Sequence, residues 1–426
     1  MSNSSGLGAS LSGGRVGKGA ILGRRLTEVD PATPDEPPYA WVVVWAAFAS
    51  LAVIFGAAYS FAAFFESFAA EFAADRADVA LVFGLSGLVY FALGGGAGML
   101  ADRYGPRAVC AAGVVCIALG LVASSMAQSM TMIYAAWGAG LGIGIGLVYA
   151  PAIASVPPWF VRRRGFAAGI ASAGVGVGTL AVPLLASLAI ASYDWRQAMQ
   201  ALAVGVLVVG LSATLLLRRA PQPLSARGSA GAGVTLGAAL RSRRFWWMYA
   251  AAVAIGPVMF IPFAHVSAAA RDLGIGDAQA VGLVGLIGMG SIFGRFAIGG
   301  LADRIGHVLS IAVLQGSLGI SFLLWLGAGE YVALAVFALW FGVSYGGIVA
   351  LMPAICMDLF GARAVSSILG TLYTGAAFGN LLGPVIGGAV FDRVGTYAPV
   401  IWACVLLSAL AAAASMQLLR PARVTG

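Results

Sequence analysis

Apolar runs of about 20 residues or more recur along almost the whole chain, broken by short polar, glycine or proline punctuation. A bilayer crossing needs about that length, because in hydrocarbon every backbone N–H and C=O must be satisfied inside the helix. With charges, glycines and prolines as boundaries, the pattern predicts spans over 40–65, 79–100, 107–127, 131–156, 165–192 and 196–217. A second set follows over 246–270, 280–302, 307–328, 331–355, 364–390 and 397–419. Twelve crossings put both chain ends on one side of the membrane. The first 38 residues are rich in Gly, Ser and Pro and lack a signal-type apolar core, so they read as a disordered tail and the first span as uncleaved.

Composition and charge sharpen this picture. Of the 426 residues 61% are hydrophobic and 9% charged, where a soluble domain carries roughly 25% charged residues. Nineteen of the 24 Lys and Arg fall in the tails and the loops on the side of the termini, and Arg76, Arg196, Arg271 and Arg393 lie opposite. The positive-inside rule therefore places both termini in the cytoplasm, with the plasma (inner) membrane as the expected location. That asymmetry accounts for the net charge of +8 and leaves no basic soluble surface for nucleic acid. Cys110, Cys116, Cys356 and Cys404 form neither a CxxC nor a Cys/His cluster, so disulfides, a metal and a cofactor are not expected. The spans hold no nucleophile triad or paired carboxylates, which argues against an enzyme.

The chain divides at its longest polar stretch after the tail. The expected organisation is a tail over 1–38, a six-helix bundle over 39–218, a linker over 219–244, a second bundle over 245–419 and a tail over 420–426. Gly98-Met99-Leu100-Ala101-Asp102-Arg103-Tyr104-Gly105-Pro106-Arg107 follows the second span, and Gly299-Gly300-Leu301-Ala302-Asp303-Arg304-Ile305-Gly306 follows the eighth. The two Asp-Arg pairs are 201 residues apart, as a duplicated six-span unit requires.

These repeats resemble the loop signature of the major facilitator superfamily. The resemblance implies an all-α membrane fold of twelve helices in two pseudo-symmetric halves, with Asp102, Arg103, Arg107, Asp303 and Arg304 gating the cytoplasmic face. The acid can sit near a helix N-terminus and pair with arginine there; the bland alternative is a charged turn that ends a span. Three further stretches resemble the monocarboxylate porters and their oxalate:formate relatives: Tyr39-Ala40-Trp41-Val42-Val43, Tyr90-Phe91-Ala92-Leu93-Gly94, and the basic loop Trp159 to Arg164 with the Gly/Ala-rich helix after it. The partners so implied are a small organic anion, protons and the lipid bilayer. The glycines of the fourth and fifth spans read as close-packing positions rather than a ligand loop.

Arg295 is the one basic residue inside a span. A buried arginine costs roughly 2.5–3.5 kcal/mol on insertion scales, so it must face a cavity or a partner. Gly288, Ser291, Ile292 and Gly299 share its helical stripe, leaving room for a planar carboxylate that the guanidinium fork binds through two bonds. No Asp or Glu lies in a span interior to neutralise it. By the resemblance Arg295 aligns with the porters' helix-eight arginine, while Ser291 and Tyr59 stand where animal members carry an aspartate and a lysine. Their proton-coupling pair is therefore absent. His265 suits a proton carrier and equally a satisfied core donor. Tyr59, Tyr149, Tyr345 and Tyr373, with Asn380, are further candidates for the substrate wall. The resulting expectation is a secondary transporter of lactate- or pyruvate-like acids, proton-coupled. The alternatives are an oxalate:formate-type exchanger or a drug or sugar porter.

Overall fold

The computed structural model describes residues 37–160, 164–220, 233–361 and 364–419, apart from the side chains of a few helical residues. Among the described residues its apolar runs fold as twelve long helices. The first six are α1 (Tyr39–Tyr59, continued past Ser60 by Phe61–Phe72), α2 (Arg76–Tyr104), α3 (Pro106–Ser125), α4 (Met130–Ile133, a π-helical stretch Tyr134–Leu141, then Gly142–Ala154), α5 (Arg164–Ser192) and α6 (Trp195–Leu215). The second six are α7 (Arg243–Asp272), α8 (Asp277–Ile305), α9 (His307–Leu326), α10 (Tyr331–Phe360), α11 (Val365–Val394) and α12 (Ala398–Met416). Each contributes a stretch long and apolar enough to cross a membrane. Within the polar stretch after α6 a one-turn helix, Leu236–Leu240, follows Val234, whose N–H donates to the Phe360 carbonyl at 2.9 Å.

The helix pairings of the first six recur in the second. α1 packs on α5, α2 on α4 and α3 on α4 and α6; correspondingly α7 packs on α11, α8 on α10 and α9 on α10 and α12. Across the two sets the main contacts are α2 with α11 and α5 with α8.

Several helices run a few residues past the spans read from the sequence, and two of the differences bear on the charged residues. The first span ends at Phe72 rather than near 65, because Glu66 sits on the half-exposed side of a helix that simply continues. The Asp-Arg pairs occupy the last helical turn of α2 and α8 rather than a loop, and the chain reverses at one residue, Gly105 or Gly306. Both have φ +92°, a left-handed conformation in which a Cβ is strained, which explains the glycine of each repeat.

The glycines of α4 do bring backbones together. A Cβ on Gly144 would stand 2.6 Å from the Gly113 carbonyl oxygen and 2.9 Å from the Ile117 nitrogen of α3, whereas one on Gly205 would meet nothing within 4 Å. Backbone cannot move aside as a side chain can, so Gly144→Ala should cost roughly 1–3 kcal/mol. Melting of the purified protein should fall by several degrees for Gly144→Ala and stay unchanged for Gly205→Ala. Equal melting of the two variants would refute the close-packing role.

Candidate functional site

The two sets of helices meet most closely on the face opposite the chain termini. There Gly388 of α11 abuts Ala77 of α2, with a would-be Cβ 2.6 Å from the Ala77 nitrogen, and near the middle of the helices Gly288 of α8 abuts Gly176 of α5, 2.6 Å from its carbonyl oxygen. Toward the terminal face the contact lapses, and Gly94, Gly96 and Gly98 of α2 have open space around them.

Ion pairs reinforce the far face. Arg76, at the start of α2, donates to both oxygens of Asp272 at the end of α7, at 2.8 and 2.6 Å, and to the Tyr397 hydroxyl at 2.8 Å. Its guanidinium lies 3.9 Å from the centre of the Phe391 ring. Asp392 of α11 accepts the backbone N–H groups of Arg76 and Ala77, at 3.2 and 3.0 Å. A carboxylate from the second set thus caps an α2 N-terminus in the first, where it satisfies orphan donors and meets the positive helix end. Burial holds the Tyr397 phenol above its usual range, so it keeps its hydroxyl proton.

Between the two sets lies an open cavity, whose empty space is about 960 Å³ when the solvent it opens onto is counted. Phe55, Tyr90, Phe91, Tyr149 and Val175 line it from the first six helices, and the rest of its wall, including Arg295, Tyr345 and Tyr373, comes from the second. Arg295 is half-buried, and its Nε donates to the Ser291 hydroxyl one turn earlier at 3.3 Å. Among the described residues no carboxylate lies within ion-pair distance of it. A guanidinium without a carboxylate partner among the described residues, on the wall of a largely apolar cavity, has the charge and the donor geometry to hold an anion.

Of the residues picked from the sequence, the structure brings Arg295, Tyr149, Tyr345 and Tyr373 to this cavity. Tyr59 stands behind its wall: it is buried, stacks on Phe263 at 4.2 Å, and its hydroxyl lies 3.2 Å from that of Tyr345. Ser291 is buried and reaches the site only through its bond to Arg295. Asn380 is not on the wall at all. It is fully buried where α11 crosses α2, and its amide donates to the Phe83 and Gly84 carbonyls at 3.3 Å each. Helical position alone placed it on a cavity-lining helix, but it faces the neighbouring helix instead.

His265 is also fully buried and off the cavity wall. Its Nε2 lies 2.7 Å from the Pro384 carbonyl, which can only accept, so Nε2 carries the hydrogen. In the neutral ring Nδ1 then accepts from the Tyr397 hydroxyl at 3.1 Å. Neither Pro257 nor Pro262 breaks α7, which runs unbroken from Arg243 to Asp272.

Arg103, Arg107 and Arg304 are exposed on the terminal face; the side chains of Asp102 and Asp303 lie outside the described residues. Sequence reasoning passed over Tyr90, Phe91, Gln315 and Ser415 on the wall and Arg76 and Tyr397 on the far face. Tyr90-Phe91 carries a signal in the chain, since the pair opens one of the stretches that resemble the monocarboxylate porters.

The sequence profile described as Major Facilitator Superfamily matches residues 46–374. The chain is 30% identical over 372 residues to monocarboxylate transporter 13 of Bos taurus, covering 86% of each. It is 28% identical over 392 residues to monocarboxylate transporter 4 of Rattus norvegicus, covering 88% of this chain and 82% of the relative. Its fold resembles that of a bacterial homologue of the human lysosomal transporter Spinster in an inward-facing, unoccupied conformation, with TM-score 0.70, 17% identity and coverage of 90% and 98%. A peptide transporter in complex with sulfate matches with TM-score 0.68, 14% identity and coverage of 88% and 94%.

Proposed function

The chain belongs to the Major Facilitator Superfamily as a monocarboxylate-porter-like, multi-pass membrane transporter and not an enzyme, and from that premise we propose that it carries monocarboxylate anions of the 2-hydroxy and 2-oxo acid class, such as lactate and pyruvate. The observation that carries this reading is Arg295: a cation without a carboxylate partner among the described residues, on the wall of a cavity rimmed by phenols. The carboxylate pairs with its guanidinium, and Tyr149, Tyr345 and Tyr373 offer hydroxyls and ring faces to the remainder.

In this reading the halves over 39–218 and 245–419 rock about the site, joined by the linker over 219–244, with both termini in the cytoplasm and the chain in the inner membrane. Asp102, Arg103, Arg107, Asp303 and Arg304 gate the cytoplasmic face, and the Arg76 clasp closes the other. One cation on the wall favours monoanions over the dianions of an oxalate exchanger. Uptake into proteoliposomes decides the matter: saturable lactate or pyruvate uptake is expected, with no accumulation of a sugar or a lipophilic drug. The reverse result would move the chain to another branch of the superfamily.

Proton coupling falls to His265. A proton taken up there turns Nδ1 from acceptor to donor, so that the Tyr397 oxygen faces two cationic donors, His265 and Arg76, beside Asp272 and Asp392. Proton binding thereby loosens the far-face clasp. His265→Gln keeps a donor for the Pro384 carbonyl but cannot charge. It should flatten the dependence of uptake on an imposed pH gradient while exchange across the membrane continues. Full gradient-driven accumulation in that variant would assign coupling elsewhere.

A further inference from the structure

The repeat spacing of 201 residues maps the Arg76 clasp onto a second corner of the far face. Arg76, Ala77, Gly388 and Asp392 correspond there to Asp277, Ala278, Ser187 and Ala191. All four of these counterparts line one open pocket, bounded by α1, α5, α8 and the end of α7. At the first corner Asp392 caps the α2 N-terminus; at the second Ala191 stands in its place, and no side chain caps α8. A Cβ at Gly388 would stand 2.6 Å from the Ala77 nitrogen, so Ser187 excludes the same close approach. The charges also do not match across the halves. Asp272, which accepts two bonds from Arg76, corresponds to Glu71, which has the same sign as Asp277 and pairs with Arg196 of its own half at 2.9 Å.

Arg271, in the last turn of α7, brings the opposite charge to this corner. Its side chain is 15% exposed and lies within ion-pair range of two carboxylates. Nε donates to Asp277 Oδ1, in the same half, at 2.6 Å. Across the interface, Glu66 Oε1 of α1 stands 4.0 Å from Nη1, about 1 Å too far for an ordinary hydrogen bond. Nη1 is buried and has no hydrogen-bond partner among the described residues. A buried charged donor is costly to leave open, and Glu66, half-exposed on the pocket wall, is the carboxylate of the first half that faces it.

The two corners therefore differ in what opening costs. When the halves part at this face, Arg76 leaves Asp272, and among the described residues no acid of its own half lies within ion-pair distance of it. A guanidinium stripped of its counter-charge is costly wherever water is scarce. Arg271 gives up only the 4.0 Å contact with Glu66 and keeps Asp277.

We propose that Arg271 is handed between two acids as the carrier cycles: Glu66 shares it while the far face is shut, and Asp277 alone holds it once that face opens. Glu66 is then a cross-half latch, and Asp277 is the resting partner that spares the open state a bare cation. This rests on the alternating-access reading and is independent of the Arg295 site.

The test needs no substrate. In full-length protein in proteoliposomes, Ala252→Cys on the cavity wall is labelled by an impermeant thiol reagent added from the far side, and the rate for protein lacking that cysteine is subtracted. Glu66→Gln keeps the shape and removes the cross-half charge, so labelling should quicken about twofold to fivefold, as for an exposed ion pair. Asp277→Asn should act in the opposite direction. The open state then loses the carboxylate that holds Arg271 while the shut state still has Glu66, so labelling should slow by about the same factor. With Glu66→Gln already in place, Asp277→Asn removes the bond from both states alike, and the slowing should vanish. Poor folding would instead quicken labelling in every variant. An unchanged rate in Glu66→Gln, a rate in Asp277→Asn no slower than native, or a slowing that persists in the double variant would overturn the handover and leave alternating access standing. Absence of far-side labelling in every protein that carries the reporter would overturn both.

Discussion

Alanine in place of Arg295 is expected to abolish saturable monocarboxylate uptake while folded protein still accumulates in the membrane. The guanidinium is the charge that the substrate anion would meet in an apolar cavity, and truncating one partner of a buried, hydrogen-bonded charge pair typically costs 2–5 kcal/mol. At about 1.4 kcal/mol per tenfold, binding should weaken by roughly thirtyfold to several thousandfold. Folding should be spared, because Arg295 has no ion pair among the described residues to lose, only the 3.3 Å bond to Ser291. Lysine should restore part of the affinity, since it supplies the charge but not the planar fork. Calorimetric titration of the purified variants with the best acid reads this directly. Unchanged affinity in Arg295→Ala would remove the anchor and the substrate reading with it.

The second large effect is expected at the far face. Arg76→Ala removes two bonds to Asp272, one to Tyr397 and the contact with the Phe391 ring in a single change. Asp272 is 38% exposed, so its ion pair is screened by solvent and contributes little alone. The whole cluster should nonetheless shift the balance between access states by about 1–2 kcal/mol, a change of roughly fivefold to thirtyfold in population. A cysteine placed at Ala252 on the cavity wall reports it. An impermeant thiol reagent added from the far side should label that cysteine faster in Arg76→Ala by about that factor, with substrate affinity at the closed site little changed. Equal labelling rates would show that the clasp is ornamental and that helix packing, such as Gly388 against Ala77, holds this face shut without it.

Both predictions bear on a division visible residue by residue. Twelve crossings, the duplicated turn at Gly105 and Gly306, and Arg295 as an uncompensated cation were all legible in the chain. Each depends on a local rule: the length of an apolar run, a glycine after an Asp-Arg pair, a charge where a span should have none. Such signals survive without knowledge of neighbours, because the bilayer penalises any one segment that violates them.

The neighbours decided the rest. Asn380 and Tyr149 are both polar-tipped residues on inner helices, yet one faces the α2 backbone and the other the cavity. A near-uniform apolar helix has no polar face from which its rotation can be read. His265, with no titratable neighbour in sequence, is joined to the far-face clasp only because α7 and the start of α12 bring it to Tyr397. The same holds for Gln315, an ordinary amide in the chain that ties α9 to α12 because its Oε1 accepts the hydroxyl of Ser415, 100 residues away. By itself, then, the sequence determined the number of crossings, the duplicated half and the charge at the site. Only the tertiary structure decided which faces meet, because the chain writes each helix as a local pattern while contacts between helices depend on packing that no single segment encodes.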